Sequence, residues 1–101
     1  GGTDIGKSLE KFRNESQAKL NRNTTFILMS DGWDTGSSDK LYFELNRIKN
    51  SVKSIVWLNP LVGSEDFSPD TASMRRALPL IDVFASARDF ESLKKIPSYI
   101  N

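Results

Sequence analysis

Three nearly continuous apolar runs punctuate the chain: Phe26-Ile27-Leu28-Met29, Ile55-Val56-Trp57-Leu58, and the stretch from Leu80 to Ala85. Unbroken runs of this length suit parallel strands covered on both faces, and they predict strands over Thr24–Ser30, Lys53–Leu58 and Leu80–Ala85. Between them the apolar positions recur at helical spacing. Ile5, Leu9 and Phe12 mark a helix from about Asp4 or Ile5 to Leu20, with Lys7, Glu10, Lys11 and Arg13 on its wet side. Leu41, Leu45 and Ile48 mark a second from Ser38, a plausible N-cap, to Asn50. A short helix from about Asp70 to Leu78 ends at Pro79, and a last one from Ser86 to Ile96 ends before Pro97. Asn21-Arg22-Asn23 reads as a turn, Asn59-Pro60 as a strand end, and Leu61–Pro69 as a loop.

Helices and strands that alternate in this way form right-handed βαβ crossovers and a parallel sheet. The expected fold is a three-layer, Rossmann-like α/β domain occupying residues 1–101, with about three strands and flanking helices. Three strands make a small sheet for that architecture, so the chain reads as the second half of a doubly wound domain. Its start at Gly1-Gly2-Thr3, with no initiator methionine, reads as a piece of a longer polypeptide. The first strand is then expected to have an open edge, onto which a second copy of the chain can pair.

Composition narrows the chemistry. Fourteen basic and thirteen acidic residues give a net charge of +1, which offers no reason to expect nucleic acid or an anionic membrane as partner. With neither cysteine nor histidine, thiolate zinc sites, disulfides and histidine general bases are excluded. Any bound ion must use oxygen ligands, which favours magnesium, manganese or calcium. No apolar run approaches the roughly 20 residues that span a bilayer, and a cytoplasmic location is the default.

Two candidate sites emerge. Ligands of open α/β sheets lie beyond the carboxyl ends of the strands, which is where Asp31 falls after the first run. Gly1-Gly2-Thr3-Asp4-Ile5-Gly6-Lys7-Ser8 also matches the phosphate-binding pattern G-x-x-x-x-G-K-[ST]. On that reading Lys7 reaches phosphates, Ser8 holds Mg²⁺ and Asp31 supports the ion. The pattern requires a preceding strand, however, and Lys7 and Ser8 equally fit the first turn of an ordinary helix.

The second reading joins Thr3 to Asp31. Ser30-Asp31-Gly32-Trp33-Asp34-Thr35-Gly36, Trp57-Leu58-Asn59-Pro60 and the block Ser73–Phe84 occur in the order found in one family. The chain resembles, from Gly1 to Ile96, the carboxyl-terminal half of a von Willebrand factor type A domain of the CoxE-like branch. The resemblance implies a metal-ion-dependent adhesion site with three separated parts. Gly2-Thr3-Asp4-Ile5-Gly6 is similar to the part that supplies a threonine ligand, and Ser30-Asp31-Gly32 to the part that supplies an aspartate acting through water. The remaining part, an Asp-x-Ser-x-Ser loop, does not occur in these 101 residues. This chain alone is therefore expected to bind Mg²⁺ weakly or not at all. The resemblance further implies a binding module and not an enzyme, which captures a carboxylate from an acidic protein client across the ion. It also implies work with a MoxR-type AAA+ ATPase in metal-cofactor maturation or protein assembly. A half-domain serving only as a metal-free scaffold is the third reading.

Each singled-out residue has a plainer alternative. Asp31 can satisfy turn amides and Thr3 can cap a helix. Asp34 and Asp39 read as solvated loop acids, and Arg75-Arg76 and Lys94-Lys95 as solvated helix faces. Trp33 reads either as a partner-binding anchor or as packing over the sheet end, and Trp57 as core. No serine has a histidine or lysine arranged for nucleophilic catalysis.

Overall fold

The computed structural model describes residues 3–60 and 71–86. Within them lie helix α1 (Ile5–Ser16) with a 3-10 turn at Gln17–Lys19, strand β1 (Thr25–Met29), and helix α2 (Ser38–Lys49). Strand β2 (Ser54–Asn59), helix α3 (Ala72–Ala77), a second 3-10 turn at Leu78–Leu80 and strand β3 (Val83–Ser86) follow. The expected loop at 61–69 and most of the expected last helix lie outside the described residues.

The three strands form one parallel sheet in the order β1-β2-β3, with Thr25 opposite Ser54 and Val56 opposite Val83. The expected Rossmann-like architecture is present, as a partial α/β fold. On one face of the sheet Phe26, Ile55 and Trp57 pack beneath the helices, together with Leu9, Leu41, Leu45 and Ile48. Val56 and Leu58 are buried on the other face against Val83 and Ala85. The fully buried β2 matches the reading of an apolar run as a strand covered on both sides. β1 departs from it. It is an edge strand with Ile27 53% and Met29 66% exposed on the face opposite Phe26 and Leu28.

Local chemistry sets the helix ends. Asp4 Oδ1 accepts the Lys7 amide at 2.9 Å and caps α1. Ser37, one residue before the expected cap, accepts the Lys40 amide to start α2. Thr71 does the same for α3 through the Met74 amide. The third strand begins later than its apolar run. Leu78-Pro79-Leu80 forms a 3-10 turn that inserts Leu80 into the core, since proline has no amide to donate to a ladder. Asp82 then clamps the strand start, its Oδ2 accepting the Ile55 amide at 2.7 Å and its own amide donating to the Ile55 carbonyl at 2.9 Å.

Two ion pairs cross the α1–α2 contact: Lys40 with Glu10 at 3.2 Å, and the more buried Arg13 with Glu44. Arg13 Nε donates to Glu44 Oε2 at 2.8 Å, with side chains 17% and 2% exposed respectively. The hydrogen bond that Arg13 donates to Glu44 raises the Arg13 pKa above its usual value, so the guanidinium stays charged. Removing one partner of a buried pair strands the other, and the two partners differ in access to water. Arg13 has solvent within reach; Glu44 does not. Arg13→Leu is therefore expected to melt at a clearly lower temperature than Glu44→Leu in paired thermal scans by circular dichroism. Equal melting points would show that the pair contributes only packing.

Candidate functional site

The carboxyl end of β1 opens into a loop whose shape is dictated by short-range side-chain bonds. Ser30 Oγ accepts the Gly32 amide at 3.0 Å, and Asp31 Oδ1 accepts the Trp33 amide at 2.9 Å. These are the turn roles proper to serine and aspartate. Gly32 has φ +79°, and a Cβ there would lie 2.6 Å from the sulfur of Met74. Only glycine meets both the left-handed backbone and the close approach of α3. Beneath the loop, Trp57 Nε1 donates to the Ser30 carbonyl at 2.9 Å, tying the strand end to the core.

Asp34 is the hub of the region. Its Oδ1 accepts from the amides of Ile5 (2.9 Å) and Gly36 (3.1 Å), and its Oδ2 accepts from Ser73 Oγ at 2.7 Å. Beside these bonds Thr3 and Asp34 form a parallel bridge, with the Thr35 amide donating to the Thr3 carbonyl at 3.1 Å. One carboxylate thus joins the start of α1, the loop after β1 and the start of α3. The expectation of a solvated loop acid is corrected: three donors from three segments surround Asp34 because the topology brings those helix starts to one end of the sheet. Its best clue in the sequence is the glycine two residues on. A Cβ at Gly36 would lie 2.3 Å from Asp4 Oδ1, so the two loops touch there. Asp39 does pair on the surface, with Arg76, whose guanidinium also lies 4.7 Å from the Tyr42 ring centroid.

Thr3 and Asp31 line one open groove of about 450 Å³ between α1 and the outer edge of β1. Leu9, Phe12, Phe26 and Leu28 supply apolar wall, with the Phe12 and Phe26 rings 5.0 Å apart. Ser30 stands with Asp31 where the strand ends. A hydroxyl and a carboxylate are hard oxygen donors, right in kind for Mg²⁺, Mn²⁺ or Ca²⁺. They are too few: among the described residues no group of three or more Asp or Glu gathers as a metal cluster, whereas such ions take six or more oxygens. Asp31, an exposed residue, has already committed Oδ1 to the Trp33 amide.

Trp33 lies elsewhere. It is 66% exposed and lines a second, smaller cleft with Asp34, Ser38, Thr71 and Ser73. The expectation that its ring packs over the sheet end is not met, since the ring is largely exposed. At the start of α1, Lys7 and Ser8 are already helical, and the Ser8 hydroxyl donates to the Asp4 carbonyl at 3.1 Å. The Asp4 carboxylate occupies the donor end of the helix. A phosphate seated there would meet a negative charge.

Among the described residues, no helix is long and apolar enough to cross a membrane. A family model described as "VWA domain containing CoxE-like protein" matches residues 1–93. No curated protein and no solved structure matches the chain.

Proposed function

The chain belongs to the family of CoxE-like proteins containing a VWA domain, a protein-interaction module, and on that premise we propose that it contributes to a metal-ion-dependent adhesion site. The observation that carries this reading is the placement of Thr3 and Asp31 on one groove at the carboxyl end of β1. In the proposal Thr3 Oγ1 binds a divalent ion directly, and Asp31 holds a water of its shell through Oδ2. The remaining ligands come from an Asp-x-Ser-x-Ser loop elsewhere in a longer protein, of which residues 1–101 are the carboxyl-terminal half of the domain. The ion's chemistry is to attract a carboxylate from an acidic partner surface. The exposed Trp33 ring gives that partner an apolar anchor nearby. We take the module to bind and not to catalyse, and to work in the cytoplasm beside a MoxR-type AAA+ ATPase in maturing a metal cofactor or assembling a protein.

Calorimetric titration with Mg²⁺ tests the reading. The 101-residue chain is expected to bind weakly or not at all, and the longer protein to bind measurably. In the longer protein Asp31→Ala should cost about 10- to 100-fold in affinity, the usual effect of losing a group that orients the ligands, and Thr3→Ala at least as much. Lys7→Ala should leave Mg²⁺ and partner binding unchanged. A well-ordered Mg²⁺ on Thr3 and Asp31 of this chain, completed only by water, would overturn the division of the site. Nucleotide binding that disappears in Lys7→Ala would overturn the adhesion reading itself.

A further inference from the structure

We propose that the cleft beside Trp33 binds an extended, proline-containing segment of a protein partner. This inference rests on the reading of Trp33 as a partner contact and is independent of the ion.

The cleft lies between the starts of α2 and α3. Trp33, Asp34 and Gly36 come from the loop after β1, Ser38 from the first turn of α2, and Thr71 and Ser73 from the start of α3. The outer edge of β1 borders the other groove, with Thr3 and Asp31, so the walls of this cleft owe nothing to that edge. At about 280 Å³ it is smaller than the roughly 300–1,000 Å³ sites that enclose a whole small ligand. A short contact on a longer chain fits it better.

Its polar groups are biased toward donation. The one carboxylate in the wall, on Asp34, already accepts from the Ile5 and Gly36 amides and the Ser73 hydroxyl, which takes most of the acceptor capacity of a carboxylate. The Thr71 hydroxyl accepts the Met74 amide and keeps its own proton to donate. The Ser38 hydroxyl and the Trp33 indole N–H bond no other described residue. A ligand suited to this wall is rich in acceptors and poor in donors, with an apolar body to lie against the exposed indole. A sugar or a nucleobase brings donors of its own, and a phosphate or carboxylate brings negative charge next to Asp34. Ordinary peptide carries an N–H for every carbonyl; proline removes the N–H and keeps the carbonyl. It also holds the chain in polyproline II geometry, which loses little entropy on docking against aromatic side chains. In the proposed complex the pyrrolidine ring lies on the Trp33 indole, and carbonyls along the segment accept from Ser38, Thr71 and the indole N–H.

NMR titration of the isotope-labelled chain with a blocked oligoproline peptide tests the assignment, with EDTA present to remove any contribution from metal. The two indole N–H signals separate the cleft from the core. That of Trp33 should shift, and that of Trp57, buried and bonded to the Ser30 carbonyl, should not. Trp33→Ala, followed through the Gly36 amide, should weaken binding at least about tenfold, as loss of a central aromatic contact does. Trp33→Phe keeps an apolar ring without the donor and should cost less. Ser38→Ala should weaken binding about 2- to 10-fold, the range for one net hydrogen bond. Circular dichroism melts of these variants should match the wild type, since Trp33 is exposed and Ser37, not Ser38, caps α2. No shift at Trp33 with millimolar peptide overturns the proposal. So does an equal response to a glycine–serine peptide of the same length, or a stronger one to an oligoglutamate peptide. With no ion present, failure here leaves the ion reading standing, and failure of the longer protein to bind Mg²⁺ leaves this result standing.

Discussion

Asp34→Ala is expected to lower the unfolding free energy of this chain by about 3 kcal/mol, and Asp34→Asn by about 1 kcal/mol. The first figure comes from hydrogen bonds to a charged acceptor, each worth about 1.5–3 kcal/mol, summed over three donors and reduced because the site is only partly buried. Alanine leaves the Ile5 and Gly36 amides and the Ser73 hydroxyl to find water where the loops leave little room. Asparagine keeps an Oδ1 for both amides, and its Nδ2 meets Ser73 Oγ, which can turn to accept. Urea titration measures both variants. The midpoint should fall with the slope unchanged, which is the signature of lost stability without a change in the surface exposed. A domain of this size has about 5–15 kcal/mol in all, so alanine removes a large share. If the two variants coincide, the bonds to Asp34 carry no net stability and the segments it joins are held by packing.

That aspartate marks the limit of what the pattern of residues discloses. Leu41, Leu45 and Ile48 are wholly buried, as their spacing on one helical stripe predicts, and Trp57 lies in the core. The parallel order of the strands and the open edge of β1 were likewise legible, because burial imposes a period on the sequence. Hydrogen bonds between a side chain and backbone 29 positions away impose none. Asp34, Thr35 and Gly36 look like any polar turn until α1 and β1 are placed side by side. The start of β3 was obscured for a related reason: Leu80 is buried from a 3-10 turn, and apolarity alone does not distinguish a buried turn from a buried strand. Asp31 stands out by its place beyond the first apolar run, and only the family resemblance joins Thr3 to it. Their geometry adds that they line one groove, and that Asp31 has one oxygen committed to its own loop.

Trp57→Ala should be the most damaging single truncation in the described chain, at about 4 kcal/mol, with Trp57→Phe costing about 2 kcal/mol. Removing a large buried aromatic costs about 3–5 kcal/mol through lost burial and the cavity left behind, and Trp57 is fully buried among residues from α1, α2 and α3. Phenylalanine refills most of that space but has no donor for the Ser30 carbonyl, which the indole now holds at 2.9 Å. An unsatisfied buried acceptor costs about 1–3 kcal/mol. The two tryptophans make this measurable optically, because Trp33 is exposed and Trp57 is not. In a Trp33→Phe background the emission comes from Trp57 alone; it should be blue-shifted when folded and move red in a single urea transition. In that background the Trp57 variants must be followed by circular dichroism, and their midpoints should fall in the order phenylalanine, then alanine. Because the bond fixes the residue before Asp31, Trp57→Phe should also reduce Mg²⁺ affinity in the longer protein by more than its loss of stability explains at temperatures where it is fully folded. Unchanged affinity there would mean that Ser30 is held by the β1–β2 ladder, whose last bond runs from the Ser30 amide to the Leu58 carbonyl at 3.0 Å, and that the indole serves the core alone.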